Sequence, residues 1–395
     1  MSSFIYLDNN ATTQVDPRVK DSILPFLEES YGNPQSTQYA LGRTANHHLE
    51  KARESMAAVL KCLPEELTFT SGATESINMV LKGVFQNYQA KGKHIVTVKT
   101  EHKATLLTCH YLEKLGADIT YLPVDSSGSI NLDKLTESIN KQTIMVCIMG
   151  ANNETGVLHP IEKIARICQE KDTLFFCDAT QWIGKMPLDL SSIPIDMLCC
   201  SAHKFHGPKG IGLFFKRKKT QPIQIPPLII GGQQENSLRG GTHNLPAIVG
   251  MAKALEVWVE DSSKYYEIEI LRNKMESKIT SQIPHTIING KNTERTGNTS
   301  NITFKYAMGS QILLAAPKIA MSTGSACVTG TRDPSHVLKA MGIEEEDCYC
   351  SLRLSLSKWT TLEEVDKAVD LLAIAVKNVR SESPIWPLFQ QGLIQ

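Results

Sequence analysis

The sequence predicts an α/β protein with a large, mostly parallel sheet wrapped by helices and a smaller α+β unit beside it. Three observations carry that expectation. Apolar strand-like runs alternate with helix-like segments between residues 67 and 215, the order that builds parallel sheets. Five of those runs end in short polar clusters: Ser71-Gly72-Ala73-Thr74, Glu101-His102, Asn152-Asn153, residues 178–181 and residues 201–204. Sheets of this kind gather their functional groups beyond the carboxyl ends of the strands. The chain also shows no internal repeat and no low-complexity segment.

In chain order, strand-like Phe4-Ile5-Tyr6-Leu7 ends in the polar turn Asp8-Asn9-Asn10-Ala11-Thr12-Thr13, and a helix is expected over residues 17–29. The turn formers Tyr31-Gly32-Asn33-Pro34-Gln35-Ser36 follow, then a long helix over residues 37–60. Leu67-Thr68-Phe69 leads to a helix through Val84, and residues 94–98 lead to a helix ending at Leu115. Strands are expected at 119–122, 144–149, 174–178 and 194–198. Beyond Arg239-Gly240-Gly241-Thr242 a helix of about thirty residues is expected from Leu245, crossing to the second unit. That unit holds strand-like 300–304 and 351–356, the Gly324-Ser325-Ala326-Cys327 loop and a closing helix from Thr361. The expected division is 15–256 for a large domain, with 1–14 and 257–395 forming a small one.

With 395 residues the chain has length for roughly two to three domains. Its 42% hydrophobic and 21% charged residues are an ordinary globular balance. A formal net charge of zero gives no reason to expect direct nucleic-acid or anionic-membrane binding. The ten cysteines show no pairing pattern and several sit inside apolar runs, which points to reduced thiols. No signal or transit sequence and no membrane-spanning run is read, so a cytoplasmic protein is expected.

Lys204 lies in LCCSAHKFHGPKGIG, residues 198–212, between two apolar runs. Crowded there, its ammonium would lose hydration and become a neutral amine able to attack a carbonyl, such as the aldehyde of pyridoxal phosphate. The alternative is an exposed lysine in a hairpin. Ser71-Gly72-Ala73-Thr74 opens a helix after a strand and offers backbone N–H groups and a hydroxyl to an anion, or else only a helix cap. Asp178 suits a protonated pyridine nitrogen or a helix N-cap. His102 suits ring stacking and proton relay, or a surface cap. Cys327, among small residues, reads as a mobile nucleophile rather than a buried hydrophobe. Arg353, within apolar Ser351-Leu352-Arg353-Leu354-Ser355, needs an anion: a substrate carboxylate or a structural salt bridge.

These residues carry a resemblance over nearly the whole chain. YLDNNATT, GNPQS, TFTSGATESIN, TEHKA, NNETG, DATQ, SAHKFHGPKGIG, RGGT, GSAC and SLRLSL occur in order. The chain is similar to the pyridoxal-phosphate-dependent cysteine desulfurases of the NifS/IscS type, fold-type-I enzymes of the class V aminotransferase superfamily. That resemblance implies that Lys204 carries the cofactor as a Schiff base and that Ala73, Thr74, Ser201 and His203 hold its phosphate. It places Asp178 on the pyridine nitrogen, Gln181 on the ring oxygen with Asn153 beside it, and His102 on the ring face as acid and base. Asn33, Asn153 and Arg353 would bind the carboxylate of L-cysteine, and Cys327 would take the sulfur as a persulfide. Thr242 would reach the partner's cofactor phosphate, which implies a homodimer. Acceptor proteins, an iron–sulfur scaffold or a tRNA-thiolation enzyme, would collect the sulfur. A selenocysteine lyase and a non-catalytic sulfur carrier on the same fold stand as alternatives.

Other signals carry less. Lys216-Arg217-Lys218-Lys219 reads as a solvated hairpin tip, and Cys348-Tyr349-Cys350 lacks the second thiol pair of a zinc site, so no metal is expected. Gly207-Pro208-Lys209-Gly210 lacks P-loop spacing.

Overall fold

The computed structural model describes residues 4–323 and 333–393. Its strands are β1 (Ile5–Tyr6), β2 (Leu67–Thr70), β3 (His94–Val98), β4 (Asp118–Leu122), β5 (Thr143–Cys147), β6 (Leu174–Asp178), β7 (Met197–Ser201), β8 (Gly212–Lys216), β9 (Thr286–Asn289), β10 (Thr299–Phe304), β11 (Ile319–Ala320) and β12 (Ser351–Ser355). Seven of them form one sheet in the order β2-β8-β7-β6-β5-β3-β4. Every pairing is parallel except the two made by β8. Reversing β8 leaves β2, β3, β5, β6 and β7 pointing the same way, so all five of their polar ends emerge on one edge.

The central strands are apolar without alternation because helices cover both faces. β5 and β7 are buried at every position, and Cys147, Cys199 and Cys200 on them, with Cys177 on β6, serve as small hydrophobes. One face is packed by the helices Ala40–Leu60 and Leu245–Glu260, the other by Ala73–Asn87 and Lys103–Glu113. A separate core joins both ends of the chain. Ile5 and Leu7 pack with Ile319, Leu354 and the helices Ser262–Gln282 and Leu362–Glu382 around the antiparallel sheet β12-β10-β9.

Several element expectations are corrected. The helix over 17–29 is two, Pro17–Ile23 and Pro25–Glu28, because Pro25 has no N–H with which to continue the first. The long helix starts at Ala40, and the strand expected from residue 194 starts at Met197, since Asp196 turns its carboxylate to the N–H of Phe175 (2.8 Å). The thirty-residue helix breaks at Asp261 into Leu245–Glu260 and Ser262–Gln282; the Asp261 carboxylate is held by Arg18 (2.6 Å) and Lys358 (3.1 Å). In the basic run 216–219, Lys218 and Lys219 are exposed as expected, but the run is tied to its surroundings. Arg217 donates to the carbonyls of Leu190, Ile193 and Ile195, Lys218 pairs with Glu65 and Lys219 with Asp196. Among the described residues no helix is long and apolar enough to cross a membrane, and no His/Cys/Asp/Glu group is arranged for a metal ion.

Candidate active site

β7 ends at Ser201 and tightens into a 3-10 turn, Ala202–Lys204, before β8 returns antiparallel beside it. Lys204 therefore sits on the β7–β8 connection, yet its amine is not left to solvent. Nζ donates to the carbonyls of Asn10 and Ala11, both at 2.8 Å. Burial, with Arg353 adding repulsion, pulls its pKa down to about 8. A substantial fraction of free amine follows near neutral pH, the form that attacks an aldehyde.

A cavity of about 270 Å³ opens in front of Lys204, with Ala73, Thr74, His102, Asp178, Gln181, Ser201, His203 and Arg353 on its wall. One end is the start of the helix Ala73–Asn87, where the N–H of Ala73 donates to Ser201 Oγ (2.8 Å). The preceding Gly72 has φ +154°, and Gly212 at the head of β8 packs so closely that a side chain there would meet Gly72 Cα at 2.5 Å. That contact sets the helix start, with its N–H groups and the Thr74 hydroxyl, against the cavity, which suits a phosphate. His203 closes the same end. Its Nδ1 meets Thr12 Oγ1 (3.1 Å), its carbonyl accepts from Thr13, and burial pushes its pKa down to about 4, so the ring is neutral.

Asp178 terminates β6 under the middle of the cavity. Its Oδ1 accepts from Thr180 N (2.9 Å) and faces the Cys199 thiol (3.9 Å). Among the described residues its other oxygen has no hydrogen-bond donor and is left to the cavity. Behind it lies Glu101, fully buried, with Oε1 accepting from Met149 N (2.6 Å). Burial and the Asp178 charge raise the Glu101 pKa well above the usual carboxylate range. His102 forms the opposite wall. It caps the helix Lys103–Glu113, with Nδ1 accepting from Ala104 N (3.1 Å). The neutral ring therefore carries its proton on Nε2. Burial lowers its pKa, and Asp178 partly opposes that. The capping reading of His102 is met, and the residue also lines the cavity.

Arg353, on β12, reaches across from the smaller core. Nη2 meets Asp8 Oδ1 (2.7 Å) and Nη1 donates to the Asn153 carbonyl (3.0 Å), while the buried Nε has no partner among the described residues. Both alternatives open for Arg353 are thus present: a salt bridge to Asp8 and a guanidinium on the cavity wall. Asn153 lies on the wall, but the Asn33 side chain does not; it caps its own loop through Gln35 N (3.0 Å). Thr242 is exposed in another concavity, beside Ser71, Gly210 and Arg239. Cys327 lies outside the described residues.

The sequence reading missed two residues that organise this wall. Asn10 gives its carbonyl to Lys204 Nζ and to Gln181 Nε2 (3.0 Å), and its side chain bonds Asn298 (3.0 Å), Thr299 (2.8 Å), the Asn153 carbonyl (3.1 Å) and Lys185 (2.8 Å). Lys185 also donates to Gln181 Oε1. The spacing of Lys185 four residues after Gln181 was the available signal.

The donors fit a flat, anionic aldehyde cofactor. A lysine amine, an unshared carboxylate oxygen, a neutral imidazole face and a helix N-terminus with two hydroxyls surround one cavity, which matches the chemistry expected of pyridoxal phosphate.

Comparison with known proteins agrees. The profile of the Aminotransferase class-V family matches residues 5–368. The chain is 40% identical over 391 residues to "Cysteine desulfurase, mitochondrial" of Drosophila melanogaster, covering 98% of this chain and 84% of the relative. It is also 40% identical over 390 residues to "Cysteine desulfurase IscS" of Anaeromyxobacter dehalogenans, covering 98% and 96%. Among solved structures, a "NIFS-LIKE PROTEIN" superposes with a TM-score of 0.88 at 41% identity, covering 95% of this chain and all of the other. "SspA in complex with cysteine" gives 0.79 at 33%, covering 90% and 99%. With motif order, fold and site geometry pointing the same way, the chain belongs to the class-V aminotransferase family.

Proposed function

We propose that this protein is a pyridoxal-phosphate-dependent cysteine desulfurase, converting L-cysteine to L-alanine and passing the sulfur to Cys327. The observation that carries the reading is the convergence of Lys204, Asp178, His102 and Arg353, from four different elements, on one cavity. When bound, the cofactor supplies an electron sink for the pair released at the substrate Cα.

The protein's own residues do the rest. Ala73, Thr74, Ser201 and His203 hold the phosphate, and the Asp178 carboxylate keeps a proton on the pyridine nitrogen. Arg353 and Asn153 orient the substrate carboxylate, so the Cα–H bond faces the Lys204 amine. The Lys204 amine, resting on the Asn10 and Ala11 carbonyls, would take that proton. His102 Nε2 holds or returns a proton on the opposite face. The Cys327 thiolate attacks the substrate sulfur: an S–S bond forms, the Cβ–S bond breaks, and a proton on Cβ completes alanine. The products balance as alanine and a Cys327 persulfide.

The same reading extends to a cytoplasmic homodimer in which Thr242 serves the partner's site. Its exposure, away from this chain's own cavity, supports that role. An iron–sulfur scaffold or a tRNA-thiolation enzyme would accept the sulfur. The test is spectroscopic and chemical. Wild-type protein loaded with cofactor should show a visible absorbance band that Lys204→Ala loses, and should release alanine from L-cysteine. Cys327→Ala should keep the band and make no sulfide. A well-folded wild type that stays colourless with cofactor would refute the assignment, and preferential release of alanine from selenocysteine would reassign the substrate.

A further inference from the structure

Lys185 is an amine that the proposed chemistry leaves unused, and its surroundings are unusual. It lines a smaller cavity that shares Lys204 with the active-site cavity. That smaller space is lined by Lys185 and Lys204 with Asn9, His206, Asn298 and Lys358. Burial, with repulsion from Lys204 and Arg353, lowers the Lys185 pKa far below its usual value. Its Nζ donates to two acceptors, Asn10 Oδ1 (2.8 Å) and Gln181 Oε1.

Each acceptor belongs to a residue with a second task. With Oε1 taken by Lys185, the Gln181 amide must turn its NH₂ the other way, where Nε2 donates to the Asn10 carbonyl (3.0 Å) and keeps one N–H for the cavity. The Asn10 side chain also ties β10 and the Asn153 turn to the site. Its carbonyl is one of the two on which Lys204 Nζ rests. Any shift of Asn10 therefore moves the acceptor of Lys204 and that of Gln181 together.

We propose that Lys185 is a positioning residue of this site, one amine that fixes both the donor side of the Gln181 amide and the Asn10 carbonyl beneath Lys204. The inference rests on the desulfurase reading, in which Gln181 meets the ring oxygen of the cofactor. Lys185→Met removes both hydrogen bonds while keeping an unbranched side chain of similar length. The groups that face Lys204, namely Arg353, Asp178, Asp8, His102 and His203, stay the same in every variant.

The experiment is a double-mutant cycle on the holoenzyme without substrate. It reads the pH midpoint of the visible band of the lysine-bound cofactor and the rate of cofactor loss on dilution. Lys185→Met should move the midpoint by about half a pH unit, roughly threefold in the protonation constant, and speed cofactor loss by a similar factor. Gln181→Ala should shift both in the same direction, and the double variant should exceed neither single change. A Lys185→Met protein that matches wild type in both readouts overturns the inference, as do shifts that add in full. If Lys185→Met fails to fold, Lys185→Gln enters the same cycle with the same criteria. A wild type that takes up no cofactor would instead refute the underlying assignment, and this inference with it.

Discussion

Two carbonyls, from Asn10 and Ala11, hold the Lys204 amine at 2.8 Å each, while burial weakens its grip on a proton. The folded pKa, about 8, lies below that of an ordinary lysine, so the reactive free amine becomes the major form as pH rises through that value. Capture of pyridoxal phosphate by the apo-protein should accordingly accelerate with pH and level off above about 8; a stopped-flow pH series checks this, and a rate still climbing at pH 10 would contradict it. At Asp178 the carboxylate itself is what matters, since one oxygen is held by Thr180 N and the side chain lines the cavity. Asp178→Asn keeps the shape and the Thr180 contact but removes the anion. It should lower kcat on the order of a hundredfold, as loss of a preorganised electrostatic partner does, with little change in melting temperature.

The elements contribute by bringing backbone into place. The start of the helix Ala73–Asn87 is set by the contact of Gly72 with Gly212 and by the Ser201 hydroxyl that accepts the Ala73 N–H. Gly212→Ala would drive a methyl into Gly72 Cα at 2.5 Å and the Cys200 carbonyl at 2.7 Å. Overpacking of that kind costs about 1–3 kcal/mol. The variant should melt lower and lose cofactor faster, because the phosphate end of the cavity moves with the helix start. Ser201→Ala leaves a buried N–H unpaired instead and should cost about 1–3 kcal/mol without disturbing the sheet. Thermal melts and dilution-induced cofactor loss, measured on both, separate displacement of the helix from loss of one hydrogen bond.

For the whole molecule, the two cores are tied by a buried ion cluster. Lys358, following β12, meets Asp16 (2.6 Å) and Asp261 (3.1 Å), and Arg18 closes the group from outside. Lys358 and Asp16 side chains are 1% and 2% exposed. Lys358→Met would leave two carboxylates close together without their buried cation, a loss of about 3–5 kcal/mol by analogy with broken buried pairs. Arg18 and Lys358 hold both carboxyl groups below their usual pKa, Asp261 at about 2 and Asp16 lower still. A depressed carboxyl stabilises the fold above its unfolded pKa, and that contribution fades as pH falls through the folded one. The melting temperature should therefore drop from about pH 4 downward, and Asp261→Asn should flatten part of that slope. An unchanged acid limb in the variant would remove the cluster from the acid response.

The chain's own order of residues determined the sheet, because strands buried on both faces must be apolar throughout and their ends must be polar. It also marked Lys204, Asp178, His102 and Arg353, each flanked by residues that make its chemistry unusual in a strand or turn. Helix breaks were harder to read. Leu24 and Asp261 interrupt runs of good helix formers, Leu24 ahead of the proline at 25 and Asp261 for the sake of an ion cluster whose members lie hundreds of residues apart. Lys185 and Asn10 were hard to read for a similar reason. A lysine after a turn and an asparagine in a loop look solvated until folding places Asn10 against Lys204, Gln181 and Asn298 at once. Local sequence encodes periodicity and polarity, but desolvation and hydrogen-bond partnership are properties of what the rest of the chain brings near, and only the tertiary structure decides them.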